Sequence, residues 1–253
     1  MTGGKAELPI LVKLIDAREA LSVQVHPDDA YAAEHEGGAW GKTELWYVLR
    51  ADPGAEIACG FSRDMDSGLV RRAVADGTIC RYLDRVPVRR GDAFAIRPGT
   101  VHAIGAGIVM AEIQQSSDLT YRLYDYGRFD QDGKPRELHI AKALDVADLK
   151  SRGRPRREMR VLEYRRGCAS ELLARCRYFQ AERLLIDTGI HGNPVRFRTS
   201  GGSFRALLCA DGRGILSGAG VRIGFSAGDC VFVPAGSVEL ELRGKAELLD
   251  VGG

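Results

Sequence analysis

Almost every apolar run in this chain is short and closes on a glycine, proline or aspartate. "ILVKLIDA", "LSVQVHP", "TELWYVLRA", "AEIACGF", "AFAIRPG" and "IVMAEIQQ" either alternate apolar and polar positions or stay apolar for a few residues. Such runs, bounded by turn formers, are the pattern of half-buried β-strands. The pattern returns in "YFQAERLLI", "SFRALLCADG", "RGILSG", "VRIGFSAGD", "CVFVPAG", "VELELRG" and "AELLDV". Turn signals at intervals of roughly ten residues confine the chain to a sandwich or jelly roll. The 253 residues suffice for one large unit or two small ones.

Helical spacing breaks this rhythm in a few places. "PDDAYAAEHEG" is expected to be a short helix after Pro27, with Asp28 and Asp29 favourable near its N-terminus. "SRDMDSGLVRRAVADGTICRYLDRV" predicts two short helices around Gly77, the second carrying Ile79, Tyr82 and Leu83, and "HIAKALDVADLK" predicts another. "KSRGRPRREMRVLEYRR" is basic and has no apolar period, so it reads as a solvated linker. The expected architecture is mainly β, in two jelly-roll barrels: residues 1–157 with a small helical insertion at about 62–84, then residues 158–253. A weak internal repeat supports two copies of one unit. "GDAFAIRPGTVHAIG" and "GDCVFVPAGSVELEL" align without a gap, which sets His102 opposite Glu239.

A net charge of +2 and 45% hydrophobic residues make no case for nucleic acid or a membrane surface. No run reaches the roughly 18 apolar residues of a spanning helix. The start, "MTGGKAELPILVKLIDARE", lacks the charged, apolar and small-residue order of a signal peptide, so a cytoplasmic home is expected. Six cysteines, Cys59, Cys80, Cys168, Cys176, Cys209 and Cys230, form no CxxC pair and are expected to be free, buried thiols.

The chemistry is concentrated in a few strands. In "LSVQVHPDD", Gln24 and His26 lie two apart and share one strand face, while Leu21, Val23 and Val25 face the other way. In "GKTELWYVL", Glu44, Trp46 and Val48 share a face opposite Leu45, Tyr47 and Leu49. His102 opens a strand after a Pro-Gly turn. A barrel can aim Gln24, His26, Glu44 and His102 at one interior point. Two imidazole nitrogens, a carboxylate and an amide oxygen suit a divalent, borderline ion such as Zn²⁺, one per chain. His35, His139 and His191 read as ordinary surface or hydrogen-bonded core residues. Glu239 in place of His102 predicts that the second copy binds no metal.

"LVKLIDAREALSVQVHPDD", "GKTELWYVL", "GDAFAIRPGTVHAIG" and "SSDLTYRLYDYGR" together resemble type I mannose-6-phosphate isomerases of the shorter bacterial form, built from two cupin domains. The likeness runs from about Pro9 to the C-terminus. It implies zinc on Gln24, His26, Glu44 and His102, and a substrate site lined by Lys42, Asp118 and Arg122. Members of that family usually carry further residues before the first of these motifs, including strands of the catalytic barrel. A missing strand would leave an open sheet edge that a partner chain could cover, and a homo-oligomer is compatible with that.

The implied reaction interconverts mannose 6-phosphate and fructose 6-phosphate through an enediol. Lys42 and Arg122 are then cationic partners for the oxyanion or phosphate, Lys42 is also a candidate base, and Asp118 a candidate for proton transfer in ring opening. Arg128 is a weaker candidate, with pairing to Asp125 or Asp130 as its plain reading. Two alternatives stay open: another metal-dependent cupin enzyme such as an Fe²⁺ dioxygenase, and a non-catalytic sugar-phosphate-binding protein.

Overall fold

A computed structural model describes residues 7–153, 161–189, 192–236 and 238–253. The chain divides into two compact units, Leu11–Arg157 and a second made of Met1–Ile10 with Glu158–Gly253. Both are built of strands, in agreement with the sequence pattern.

The first unit contains β1 (Ile10–Ala17), β2 (Val23–Val25), β3 (Glu44–Ala51), β4 (Glu56–Phe61), β5 (Leu83–Pro87), β6 (Ala93–Ile96), β7 (His102–Ile104), β8 (Ile108–Gln115) and β9 (Tyr121–Tyr124). The strands make two separate sheets, ordered β1-β8-β3-β6 and β5-β4-β7-β2-β9, in place of one continuous closed barrel. Trp46, Val48, Phe94, Ile96 and Met110 from the first sheet pack with Ile57 and Ile104 from the second. Fully burying such side chains stabilises by about 1.5–3 kcal/mol each.

The other face of the five-stranded sheet, with Val23, Val25, Ala103 and Leu123, is covered by Val70, Ala73 and Ala143 of two helices. Those helices are α2 (Ser67–Ala75) and α3 (Ile140–Val146), and α1 (Asp29–His35) follows His26. Asp28 and Asp66 cap α1 and α2 by accepting from the backbone N–H of Tyr31 and Leu69 at 2.9 and 2.8 Å. The second helix expected after Gly77 is a single 3₁₀ turn, Ile79–Arg81, and Leu83 already belongs to β5. Pairing of Leu83 with Phe61 in β4 outweighs the local spacing of Ile79, Tyr82 and Leu83.

In the second unit, β10 (Leu162–Arg165), β11 (Cys168–Arg175), β12 (Gln180–Asp187), β13 (Val195–Arg198), β14 (Arg205–Gly218), β15 (Val221–Ser226), β16 (Cys230–Val233) and β17 (Glu239–Gly252) form one eight-stranded sheet. The breaks expected at "CADG" and within "LRGKA" are absent: β14 and β17 each run 14 residues. Gly212, at φ +78°, absorbs the Asp-Gly turn signal as a bulge, and the register shifts between Cys209 and Asp211.

Part of the expected linker is likewise a strand, β10; residues 154–160 of that segment, and His191, lie outside the described residues. Glu239 is exposed and Cα-paired with Arg198, while the core positions of the same strands are Leu240, Leu242, Val195 and Phe197. The repeat therefore sets Glu239 opposite His102 in sequence but leaves it outside the core. All six cysteines are free; Cys168 and Cys209 are buried as expected, whereas Cys230 is exposed. Among the described residues no helix is long and apolar enough to cross a membrane.

Candidate metal centre

Three backbone hydrogen bonds draw the segments of the first unit together around His26. The N–H of Gly99, in the Pro-Gly turn before His102, donates to His26 O at 2.9 Å, and that of Lys42 donates to Pro27 O at 3.0 Å. Gln115 N–H donates to Thr43 O at 3.1 Å. Gly41 permits the approach of the Lys42 segment, because a Cβ there would sit 2.3 Å from the backbone of Asp28. The segments carrying His26, Lys42–Glu44 and His102 are thus tied by main chain, independently of any side chain.

His26, Glu44 and His102 offer ligand atoms that all lie within 4.8 Å of one another, and all three residues are buried. His26 Nδ1 lies 2.9 Å from Leu119 O and His102 Nδ1 lies 2.8 Å from Thr100 O. A carbonyl oxygen only accepts, so each Nδ1 carries the proton and each Nε2 presents a lone pair. His26 Nε2 stands 3.1 Å from Glu44 Oε1, and His102 Nε2 3.9 Å from Glu44 Oε2. Two acceptors face each other across the first of these gaps, and His26 Nε2 has no hydrogen-bond partner. Such an arrangement is costly when buried unless a cation joins it. The residues fit a divalent ion: two neutral imidazoles, already oriented by carbonyls, beside a carboxylate.

Titration agrees with the geometry. Burial pushes the His26 imidazolium down to about 3, helped by the Lys42 ammonium. Burial, then the neighbouring His26, pushes His102 down to about 4. Both rings are neutral at pH 7, the form that binds metal.

Gln24 lies in the same cross-strand row, Cα-paired with His102 on one side and Arg122 on the other. Its Nε2 stands 3.3 Å from His102 Nε2, donating to that lone pair. A half-turn of the amide would bring Oε1 to the same place. Cys59 is Cα-paired with His102 from the other side. Burial holds its thiol up at about 11, so it stays neutral beside the centre.

The structure adds residues that sequence reasoning missed. Trp46 Nε1–H is shared between Glu44 Oε2 and Glu112 Oε2, each at 3.1 Å. Burial, then Glu44, raises the Glu112 carboxyl. Lys13 on β1 answers that charge, with Nζ 3.1 Å from Glu112 Oε1 and 2.6 Å from Gln114 Oε1. The available signal was a lysine inside "ILVKLIDA" and a glutamate inside "IVMAEIQQ". Trp46→Phe is expected to leave both carboxylates without their common donor and to weaken metal binding by about 10–100-fold. A chelator-competition titration reads this, and unchanged affinity would contradict the role given to the indole.

The expected substrate residues are only partly gathered. Lys42 is buried, donates to Thr120 Oγ1 at 3.2 Å, and is held below the usual ammonium range by burial. Arg122 donates through Nη1 to Glu137 O at 2.8 Å, and burial, then the nearby Arg136, lowers it. Asp118 is exposed, and its charge reaches Lys42. Arg128 is paired with Asp125, the plain reading of that residue. His35 is exposed against the Tyr31 ring, and His139 accepts from Arg122 N–H at 3.2 Å.

The profile of the catalytic domain of type I phosphomannose isomerases matches residues 2–45. Over 141 residues the chain is 51% identical to a mannose-6-phosphate isomerase of Streptococcus mutans serotype c, covering 56% of this chain and 44% of that one. The matched segment thus spans less than half of that relative. Over 241 residues it is 37% identical to the mannose-6-phosphate isomerase ManA of Bacillus subtilis strain 168, covering 95% of this chain and 74% of that one. The crystal structure of the mannose 6-phosphate isomerase from Bacillus subtilis superposes with a TM-score of 0.87 at 31% identity, covering 98% of this chain and 76% of that one. The fold is therefore of the cupin type that the motifs implied. With a relative matched at this identity over most of both chains, the chain belongs to the type I mannose-6-phosphate isomerase family.

Proposed function

We propose that this chain is a zinc-dependent aldose–ketose isomerase that interconverts mannose 6-phosphate and fructose 6-phosphate. The observation that carries the reading is the convergence at a buried point of a carboxylate and two imidazole Nε2 lone pairs, that of His26 without a hydrogen-bond partner, in a chain of this family. His26, Glu44 and His102 hold the ion in this reading, with Gln24 as fourth ligand once its amide is turned. A divalent ion so held supplies Lewis-acid polarisation of a substrate oxygen.

The reaction is redox-neutral. The C2 proton leaves, O1 is protonated to give an enediol, and C1 then takes a proton as O2–H is lost. Lys42 is the base candidate, since burial favours its neutral amine beside the centre. A positioned base of this kind contributes about 10²–10⁴ in rate. Asp118, whose charge reaches Lys42, is the candidate to pass the proton in ring opening. Arg122, one strand beyond Gln24, takes the phosphate or oxyanion. In this reading residues 1–157 form the catalytic cupin and 158–253 a cupin unit without metal ligands, in a cytoplasmic enzyme.

A coupled assay tests this. Fructose 6-phosphate is expected to form from mannose 6-phosphate, to stop with chelator, and to resume with Zn²⁺. Binding of the sugar phosphate without turnover would favour the non-catalytic alternative.

A further inference from the structure

We propose that Gln115 is a positioning residue: with Asp29 it clamps segment 41–43 and so sets where the Lys42 amine stands beside the metal centre; this rests on the isomerase reading. β3 begins at Glu44, whose Cα pairs with Gln114 on one side and Ile96 on the other. Gly41, Lys42 and Thr43 precede the strand and lie outside those two ladders, so their backbone N–H groups need other acceptors. Each has one. Gly41 N–H donates to Asp29 Oδ1 at 3.0 Å, Lys42 N–H to Pro27 O at 3.0 Å, and Thr43 N–H to Gln115 Oε1 at 2.7 Å.

The Gln115 amide closes this arrangement. Its Nε2 donates to Asp29 Oδ1 at 3.1 Å, the same oxygen that holds Gly41. One side chain, 1% exposed, therefore joins the first residue of α1 to the residue before Glu44. Its own backbone is fixed: Gln115 N–H donates to Thr43 O at 3.1 Å, and Gln115 O accepts from Gln114 Nε2 at 2.9 Å. Removing the amide would strand partners that are already withdrawn from water, which is the costly way to lose a hydrogen bond. Lys42 lies between the two clamped residues. Among the described residues its amine makes one hydrogen bond, to Thr120 Oγ1 at 3.2 Å, so the course of the main chain decides where the amine stands. A misplacement of about 1 Å in a reacting group costs about 10²-fold in rate. Glu44, by contrast, is held by its own strand pairs, so the metal ligands do not depend on the clamp.

The test compares wild type with Gln115→Met and Gln115→Glu. Gln115→Met keeps the length of the side chain and removes both of its hydrogen bonds. Its kcat for mannose 6-phosphate is expected to fall about 10–100-fold, with KM and zinc affinity near those of wild type. Gln115→Glu still accepts from Thr43 N–H but sets a carboxylate against Asp29, and should lose kcat in the same way. Adding Asp29→Asn to Gln115→Glu removes that repulsion and offers a donor, so most of the lost kcat should return; a side chain that only filled space would show no such rescue. Unchanged kcat in the single variants, losses that track lost zinc, or no rescue in the double variant would overturn the proposal. If the wild type does not turn over mannose 6-phosphate, the isomerase reading fails by itself. Amide hydrogen exchange then decides the clamp. Faster exchange at Gly41 and Thr43 in Gln115→Met, with residues 45–48 unchanged, supports it; equal exchange in the two proteins, or faster exchange throughout the unit, overturns it.

Discussion

His102→Ala should abolish turnover of mannose 6-phosphate and cost the chain its metal. His102 is fully buried, its Nε2 faces Glu44 at 3.9 Å, and its ring meets Trp46 edge-on at 5.3 Å between centroids. The substitution removes one of the cluster's two imidazoles and opens a polar void beside Glu44. An ion that polarises a substrate oxygen supplies several kcal/mol to the barrier, and each 1.4 kcal/mol is about tenfold in rate. A fall in kcat/KM of about 10³-fold or more follows, together with loss of bound zinc after dialysis. Circular dichroism checks that the β-structure survives. A variant that keeps a large share of the activity would show that His102 does not hold the ion.

The metal-free protein should lose stability steeply in acid, through the same two histidines. Their folded pKa values, about 3 and about 4, lie below the unfolded value of 6.5. Between those limits the unfolded chain binds more protons than the folded one. Stability is then full above pH 6.5 and is lost as pH falls from 6.5 toward 3–4. At about 1.4 kcal/mol per pKa unit, two such groups reach several kcal/mol, a large share of the roughly 5–15 kcal/mol that holds a domain folded. Thermal melts at pH 7, 5.5 and 4.5 read the slope. A His26→Leu/His102→Leu double variant should flatten it; an unchanged slope in that variant would assign the acid lability to other groups.

The sequence made the cluster of His26, Glu44 and His102, with Gln24 beside it, legible because period-two alternation is local. Gln24, Glu44 and His102 needed only a strand and a face, and both follow from the neighbouring valines, leucines and turn residues. Lys13 and Glu112 were not legible in the same way, whereas Trp46 shared the face of Glu44 in the sequence and only its donor role was missed. A lysine or glutamate in an apolar strand ordinarily faces water, and the register across β1, β8 and β3 alone brings these side chains under Glu44. The same limit explains the strand breaks expected in "SFRALLCADG" and "VELELRG". Gly and Asp signal a turn locally, but pairing of β14 with β17 from Arg205–Gly252 to Ser217–Glu241 absorbs them. Arg122 was implied by the family motif "SSDLTYRLYDYGR", whereas its placement comes from pairing with Gln24.

The most direct measurement is anomalous scattering at the zinc edge from crystals grown with Zn²⁺. The account predicts one peak per chain in the first unit, about 2.0–2.2 Å from His26 Nε2, His102 Nε2 and a Glu44 oxygen, with the Gln24 amide turned toward it. A peak lodged elsewhere, or none while the protein still isomerises its substrate, would contradict it.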